Sequence, residues 1–461
     1  MRVRWRSWPA LLLLAGICAW AGCGSVSGIF GTGPSGGTPS NGTVTVTLSD
    51  PSTCLAPNGP YTHIWISIAA VEASPNASAG AGDSSFVDLT PQLKTAPAQV
   101  DLLAPPSQCQ LPTLATNTSV AAAQYAQLRV FLAADSQAGA IANNHCGAAA
   151  NCVQLASNGS VQPIVAGAAT TSGLPIAAAT LLGGPFTVSS GQSSQINIAF
   201  DACASVLAVN GQILLNAAVT GGALPQNSQV SGTLVDGVSH AAIGGRQIVA
   251  LEQPSAGGAD RVVLESAANN ATGAFLFCAV PTGTYDLAAI ASTAAGGQYA
   301  PTFLTGVTSG AQIGNLSVFP GVGINANPGT VQLTTSTGPA AAALRIAAQE
   351  RIAIGTQTFI ATIPIPQEPA ATMLALTAPG ASCVMGGNCS VNLFSLPALN
   401  ASFGRFSGTP SPLISSNTTS PAIYQMDVQA ATCSPQEQTT GDVSVLPNGS
   451  TSASVAFAGC T

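Results

Sequence analysis

Short runs of alternating apolar and polar residues recur through this chain and constrain its fold more than any other feature. Residues 43–48 read Thr-Val-Thr-Val-Thr-Leu, which places the two valines and the leucine on one face of a strand. Asn58-Gly59-Pro60 is a turn signal, and residues 61–70 resume the alternation. The sequence therefore predicts a pair of β-strands at the start of a sheet.

The second predicted strand has two different faces. The three isoleucines of residues 64–68 share one face, and Tyr61, His63 and Trp65 share the other. A surface with exposed aromatic rings stacks well on sugars, so these three residues are a candidate binding face. The alternative is that the rings cover a second layer or a loop.

Composition narrows the class of protein. Charged residues make up 6% of the chain, against about 25% in a typical soluble protein. Removal of an N-terminal leader leaves seven basic residues, of which only Lys94 is a lysine, against 17 acidic ones. Nucleic-acid recognition needs clustered basic residues, and these are scattered singly, so we expect no nucleic-acid partner. The strand signals predict an all-β protein with two or three antiparallel β-sandwich domains, immunoglobulin-like or transthyretin-like, in tandem with long loops.

The N-terminus predicts export and anchoring. Residues 1–22 combine an arginine-rich start with an apolar core, as in a secretory signal peptide. Trp20-Ala21-Gly22-Cys23 resembles a bacterial lipobox, in which Cys23 is acylated and becomes the first residue of the mature protein. Trp20 stands where leucine is usual, and ordinary cleavage near this point is the alternative. Residues 24–41 have the composition of a flexible tether.

Twelve cysteines are present, and ten remain besides Cys18 in the leader and Cys23. An even number of cysteines in an oxidising compartment predicts disulfides. Proximity in sequence suggests these pairs: Cys54 with Cys109, Cys146 with Cys152, Cys383 with Cys389, Cys433 with Cys460, and Cys203 with Cys278. His145-Cys146…Cys152 is also a weak metal-ligand pattern, but no fourth ligand lies nearby, and a short disulfide loop is the interpretation we favour.

Several segments carry a resemblance to a known family. They are TVTLSDPSTC, NGPYTHIWISIAAVEAS, FVDLTPQLKTAPAQVDLL, YAQLRVFLA, NHCGAAANCV and INIAFDACASV. In this order they resemble bacterial exported lipoproteins with domain of unknown function 4382, over about residues 42–220. The resemblance implies an envelope location and no particular reaction.

A second resemblance lies in residues 273–287. The pattern G-x-F-x-F…P-x-G-x-Y is similar to the carboxypeptidase regulatory-like domain, a transthyretin-like sandwich often grouped with carbohydrate-binding-like folds. Phe275, Phe277 and Tyr285 are expected in its core. Farther on, residues 342–354 fit either an alanine-rich helix or strands.

These observations divide the chain into five parts. We predict a signal peptide (1–22), an anchor and tether (23–41), a first β-sandwich (42–222), a regulatory-like sandwich (228–335) and a C-terminal β domain (336–461).

No motif predicts catalysis. The histidines at 63, 145 and 240 stand outside any zinc-peptidase spacing. Asp50, Asp88, Asp101 and Asp201 lie at strand ends, where turns commonly use aspartate, and nothing selects two of them as a glycosidase pair. We therefore expect neither catalytic residues nor a cofactor nor a metal.

The sequence leaves three hypotheses on function. The first is a non-catalytic envelope protein, held to the bacterial membrane by lipid on the periplasmic or cell-surface face of the outer membrane, that acts in surface recognition or adhesion. Its partner would be a polysaccharide or another envelope protein. The second is a carbohydrate-binding module protein that uses Tyr61, His63 and Trp65. The third is an unrecognised hydrolase.

Overall fold

The computed structural model describes most of the chain after residue 39. The described residues are 40–49, 61–103, 112–177, 181–201, 205–209, 212–215, 218–243, 247–253, 261–267, 271–293, 295–339, 344–354, 357–363, 374–377, 388–430 and 433–460. They form an all-β protein, as the alternating sequence predicts. In the part of the chain just given, no helix is long and apolar enough to cross a membrane.

Residues 41–223 contain two main sheets. Their strands are β1 (Asn41–Ser49), β2 (Tyr61–Ser74), β3 (Val87–Asp88), β4 (Ala98–Asp101), β5 (Thr113–Ala121), β6 (Ala123–Tyr125), β7 (Gln127–Leu132), β8 (Cys152–Leu155), β9 (Val161–Val165), β10 (Leu174–Ile176), β11 (Leu181–Leu182), β12 (Phe186–Val188), β13 (Ser193–Asp201), β14 (Val206–Val209), β15 (Gln212–Leu215) and β16 (Ala218–Ala223). Short 3-10 helices lie at Pro91–Lys94, Asp135–Ala140 and Gly167–Thr170.

The two predicted strands lie in different sheets of this part. Strand β1 is in a sheet of order β11-β16-β13-β1-β5. Strand β2 is in a larger sheet that contains β10-β7-β2-β8-β9-β15-β14, and β3 and β4 also pair with β2. The apolar faces of β1 and β2 belong to one buried cluster, so they form the core between the sheets.

The segment 135–175 contains strands although its composition is typical of loops. Its Gly, Ala and Asn content predicts loops only, yet β8 and β9 lie within it and pair with each other. Strand β8 also pairs with β2, and β9 pairs with β15. Strands this short carry too few alternating positions to stand out in a sequence.

Residues 230–318 form the second group of strands. They are β17 (Val230–Asp236), β18 (Gln247–Gln253), β19 (Arg261–Ala267), β20 (Ala274–Phe277), β21 (Thr284–Ala291), β22 (Thr302–Thr308) and β23 (Gln312–Val318). Their sheets have the orders β20-β17-β23 and β19-β18-β21-β22, the latter continued by two later strands. Phe275, Phe277 and Tyr285 are buried in one cluster, which confirms their expected place in the core.

The C-terminal group contains two further sheets and a 3-10 helix at Gly323–Ala326. Its strands are β24 (Gly329–Pro339), β25 (Leu344–Ile354), β26 (Gln357–Ile363), β27 (Leu374–Thr377), β28 (Asn388–Leu396), β29 (Ser402–Arg405), β30 (Ile414–Ser415), β31 (Ala422–Ala430), β32 (Glu437–Thr439), β33 (Val443–Val445) and β34 (Ser450–Cys460). The ambiguous segment 342–354 contains strand β25, not a helix.

The C-terminal group contributes two strands to a sheet of the second group. Strands β29 and β30 extend the sheet of β22, and β22 pairs with β29 in parallel. Strand β24 begins at Gly329 and pairs with β28 and β34 of the C-terminal group. A buried cluster also joins Ile248 and Phe303 to the C-terminal strands. These contacts cross the boundary predicted at 335/336. The boundary itself stays a prediction.

Candidate functional site

Strand β2 supplies the first part of the site through an irregularity in its pairing. The register between β2 and β8 shifts between Tyr61 and His63, which indicates a β-bulge. Because of this extra residue, Tyr61 lies in the same buried core cluster as Ile64, not on the face of His63. The strict alternation predicted for Tyr61, His63 and Trp65 therefore fails at its first member.

His63 and Trp65 meet a third ring from a distant loop. The ring centroids of His63 and Trp65 lie 4.6 Å apart with an angle of 11° between the planes. Those of Trp65 and His145 lie 5.0 Å apart at 9°. The indole is 9% exposed, and it also packs against Cys146 and Cys152. An imidazole thus stacks on the indole in each of these two contacts, and little of Trp65 reaches solvent.

Asp101 fixes the orientation of the half-exposed His63. Its Oδ2 lies 2.6 Å from His63 Nδ1, and its Oδ1 accepts hydrogen bonds from the backbone N–H groups of Ile64 (3.3 Å) and Leu103 (3.1 Å). A carboxylate only accepts, so this contact places a proton on Nδ1 and directs Nε2 away from Asp101. His63 therefore presents a single nitrogen to a ligand.

His145 belongs to a loop that side chains hold from within. We call residues 135–151 the clamped loop. Asn144 is its centre: Oδ1 accepts from Cys146 N at 2.9 Å, and Nδ2 lies within hydrogen-bond distance of the carbonyl oxygens of Ala138, Gly147 and Ala149. One side chain thus replaces the regular backbone pairing that this segment lacks.

Gln99 of β4 ties the clamped loop to the sheet. Its Oε1 accepts from His145 N at 2.8 Å, and its Nε2 donates to Asn144 Oδ1 at 3.0 Å and to Ala150 O at 3.2 Å. Ser67 of β2 adds a hydrogen bond from its hydroxyl to Ala150 O at 2.6 Å. The position of His145 is therefore set by two strands of the larger sheet.

Both ends of the clamped loop are fixed as well. Asp135 Oδ1 accepts from Ala150 N at 2.9 Å, and Asn151 bonds Ser67 N and Ala133 O. The predicted disulfide between Cys146 and Cys152 is present, which confirms the disulfide interpretation of this motif. A disulfide leaves no thiolate to bind a metal.

The clamped loop presents a small polar surface. Asn143, His145, Gly147 and Ala148 are exposed, and His63 lies beside them across the indole. The two imidazoles lie on opposite faces of Trp65, so they do not converge on one ion. Among the residues that the structure describes, no group of three or more His, Cys, Asp or Glu side chains is arranged to hold a metal. The arrangement is suited to hydrogen bonding and shape recognition.

The other predicted site residues have varied outcomes. The Cys433–Cys460 disulfide is present, as predicted. Cys278 is disulfide-bonded, and its predicted partner Cys203 lies outside the described residues. The pairs Cys54–Cys109 and Cys383–Cys389 include residues outside the described ranges, as does the lipidation candidate Cys23. These pairings and the lipidation stay predictions.

Sequence reasoning missed Gln99 and Asn144 and gave Asp101 no role beyond a strand end. Asp101 does form the expected turn contact with Leu103 N, in addition to its bond with His63. The only available signal was His145-Cys146…Cys152, because a short disulfide loop must lie against some partner surface. No spacing in the sequence connects residue 99 with residue 144.

Several solved structures resemble this chain distantly. One is a leucine-rich repeat protein from Bacteroides thetaiotaomicron VPI-5482, 13% identical, with 51% of this chain and 27% of that chain covered and a TM-score of 0.20. Another is GBS52, the minor pilin of Streptococcus agalactiae, at 10% identity, 50% and 96% coverage and a TM-score of 0.15. A third is a putative adhesin from Bacteroides ovatus ATCC 8483, at 10% identity, 50% and 92% coverage and a TM-score of 0.16.

The match covers 27% of the chain of the leucine-rich repeat protein and 51% of the chain of a further structure, the Bacillus anthracis TIE protein. Likeness at these TM-scores carries no information on function. No curated protein matches the chain. The resemblance predicted for the first β-sandwich is confirmed: residues 41–217, which contain the whole candidate site, match the family model described as Domain of unknown function (DUF4382).

Proposed function

We propose that this protein is a non-catalytic, lipid-anchored protein of the bacterial envelope that recognises a surface partner through the clamped loop. The observation that carries the proposal is the number of independent constraints on that loop. Asn144, Gln99 and the Cys146–Cys152 disulfide all fix the segment that exposes His145. A loop ordered before binding loses little conformational entropy on binding, which favours recognition.

The surface around His145 favours a polar, uncharged partner region. The nearest exposed groups are imidazole nitrogens, the amide of Asn143 and backbone groups at Gly147. None of these is a permanent charge, so electrostatic steering contributes little and short-range hydrogen bonds decide the fit. Glycans and loops of other envelope proteins both offer such groups.

The mode of glycan binding expected from the sequence does not follow from this geometry. A sugar-stacking platform needs a free aromatic face, and Trp65 is 9% exposed between two imidazoles. A glycan would instead meet the ring edges and the exposed nitrogen of His63. Carbohydrate binding is therefore one outcome of the test below and not a separate proposal.

Retention of the purified chain on soluble and insoluble polysaccharides and on isolated cell envelopes tests the recognition site. Ala148→Arg places a long charged side chain on the exposed loop, and Ser157→Arg places the same side chain on an exposed turn outside it. We expect retention on one target that Ala148→Arg abolishes and Ser157→Arg preserves. Equal retention of both variants would show that binding occurs elsewhere.

The anchor has its own test. Cell fractionation of Cys23→Ser beside the parent chain measures whether the thiol of Cys23 holds the protein to the membrane. We expect the variant in the soluble fraction and the parent in the membrane fraction, since acyl chains provide the anchor. A variant that stays in the membrane fraction would contradict lipid anchoring while leaving the recognition site in place.

A further inference from the structure

Strand β34 forms an edge of the four-stranded sheet and pairs regularly over its first eight residues. Its partner β24 runs parallel to it, with an unbroken register from Thr330↔Ser450 to Thr337↔Phe457. The backbone N–H of Thr330 donates to Gly449 O at 2.8 Å. In a parallel ladder, alternate residues point to the partner strand, so the odd-numbered residues of β34 face β24.

The even-numbered residues therefore direct their backbone N–H and C=O groups to the outer side of β34. The carbonyl of Ala456 is covered there by Gln438 Nε2 at 2.8 Å. Farther along, Gly459 O accepts from Ser434 N at 3.0 Å. Within the described part of the chain, no partner covers the outward backbone groups of Ser450, Ser452 and Ser454, and all three residues are exposed.

Three other sheet edges in the described residues carry protection that the first half of β34 lacks. Strand β5 has two register shifts against β1, which distort its edge. Strand β23 is covered by Ser411, whose N–H bonds Ile313 O and whose hydroxyl accepts from Asn315 N. Strand β30 has only two residues. The first half of β34 has no bulge, proline or charge.

We propose that a second copy of this chain pairs with this edge, so that two β34 strands join antiparallel about a twofold axis at Ser452. The proposal goes beyond recognition by the clamped loop and does not depend on it. Ser452 would pair with Ser452 of the other copy and Ser450 with Ser454, which uses every outward backbone group of the three serines.

The side chains favour a second copy as the occupant. An isologous interface places identical residues opposite each other, so a charged edge would repel itself. Residues 446–460 contain no charge, and the outward positions are small. Three residue pairs bury little area, so the dimer is expected to be weak and reversible.

A covalent trap is suited to a weak pairing. In an antiparallel hydrogen-bonded pair the Cα atoms lie about 5.5 Å apart, within the range of a disulfide. Ser452→Cys in the full chain, oxidised mildly and analysed without reductant, should give a covalent dimer. Ser157→Cys, an exposed cysteine on an unrelated turn, serves as the control and should stay largely monomeric.

Ser452→Pro tests the hydrogen bonds. Proline lacks the outward N–H, but the N–H at this position does not serve the pairing with β24, so the fold should persist. We expect loss of the concentration-dependent dimer in sedimentation with little change in melting temperature. Ser452→Lys provides the same test through charge repulsion if the proline variant does not fold.

Three results would overturn the proposal. One is a Ser452→Cys chain that cross-links no more than Ser157→Cys. Another is a dimer of unchanged affinity in the folded Ser452→Pro or Ser452→Lys chain. The third is a Ser452→Cys chain that forms its disulfide with a different envelope protein in cells and none with itself, which would assign the edge to another partner.

Discussion

Glu350 lies in an environment unlike that of an ordinary surface carboxylate. It is 3% exposed, and its Oε1 accepts from Ala401 N at 2.7 Å. Burial raises the pKa of Glu350 to about 7, and the hydrogen bond from Ala401 N lowers this pKa by a smaller amount. Between about pH 4.5 and pH 7, Glu350 is therefore protonated in the folded protein and ionised in the unfolded chain.

Stability should fall with rising pH because of Glu350. The folded-state pKa is raised, so its favourable contribution is complete below the unfolded-state value near 4.5 and is lost as pH rises to about 7. The change amounts to about 3 kcal/mol. Glu350→Gln keeps an acceptor for Ala401 N and cannot ionise, so it should be more stable than the parent at pH 8 and similar to it at pH 5.

Melting temperatures from pH 4 to pH 9 check this prediction. Asp427, whose pKa burial and the neighbouring Glu437 raise to about 7, contributes a similar slope that Glu350→Gln retains. The two profiles should therefore diverge between pH 4.5 and 7 without the variant becoming flat. Parallel profiles for the parent and the variant would show that ionisation of Glu350 does not lower the stability of the fold.

Trp65 is expected to matter for stability more than its place near the surface suggests. Trp65→Ala removes the ring between two imidazoles and the cover of the Cys146–Cys152 disulfide. Loss of a buried aromatic ring costs about 3–5 kcal/mol of unfolding free energy. Trp65→Phe keeps a ring in the stack and should cost much less. Denaturant midpoints measure both, and an unchanged midpoint for Trp65→Ala would contradict the stacked arrangement.

At this scale the sequence predicted His63 and Trp65 but neither Gln99 and Asn144 nor the contacts among the site residues. His63 and Trp65 were selected because aromatic residues on a strand face are visible in a sequence. Burial of Trp65 depends on His145, which lies 80 positions away in a loop. Such a contact is decided by tertiary packing and leaves no periodic signal.

At the scale of elements, strand β2 shows what alternation can and cannot predict. Its irregularities against β8 and β7 change which residues face the core. After the second one, between Ile68 and Ala70, Val71 joins the core with the isoleucines. The apolar run 68–71 gives no indication of the bulge, since either parity places an apolar residue inside.

Gly183 marks a close contact between the first and second groups of strands. It has a φ of +76°, and a Cβ there would collide with the carbonyl oxygen of Thr282. Thr282 N donates to Ala223 O at 3.0 Å in the same region. The turn after β11 is thus built against the second group of strands, and only glycine fits its backbone and the space available.

Gly183→Ala should destabilise the chain by about 3 kcal/mol, from backbone strain plus the collision. Gly159→Ala is the matched control, because Gly159 has a φ of +68° with open space around its Cα. It should cost only about 1 kcal/mol of strain. Thermal or denaturant unfolding measures the difference, and equal costs would mean that this contact does not hold the two groups together.

For the molecule as a whole, the all-β class followed from the sequence, while the connections between its parts did not. Parallel pairs such as β22 with β29 join strands about 100 residues apart, and no local pattern encodes them. The boundaries predicted at 222–228 and 335/336 were placed from composition. Composition indicates linkers, but it does not indicate where strands from two parts of the chain share one sheet.

The proposed function requires that the clamped loop hold one conformation before it meets a partner. Amide hydrogen exchange of the free chain measures this directly. The N–H groups of His145, Cys146, Ala149 and Ala150 are all hydrogen-bonded although they lie in a surface loop. We predict that they exchange far more slowly than the exposed turn 156–158. Exchange as fast as in that turn would contradict the pre-organised site and the function proposed for it.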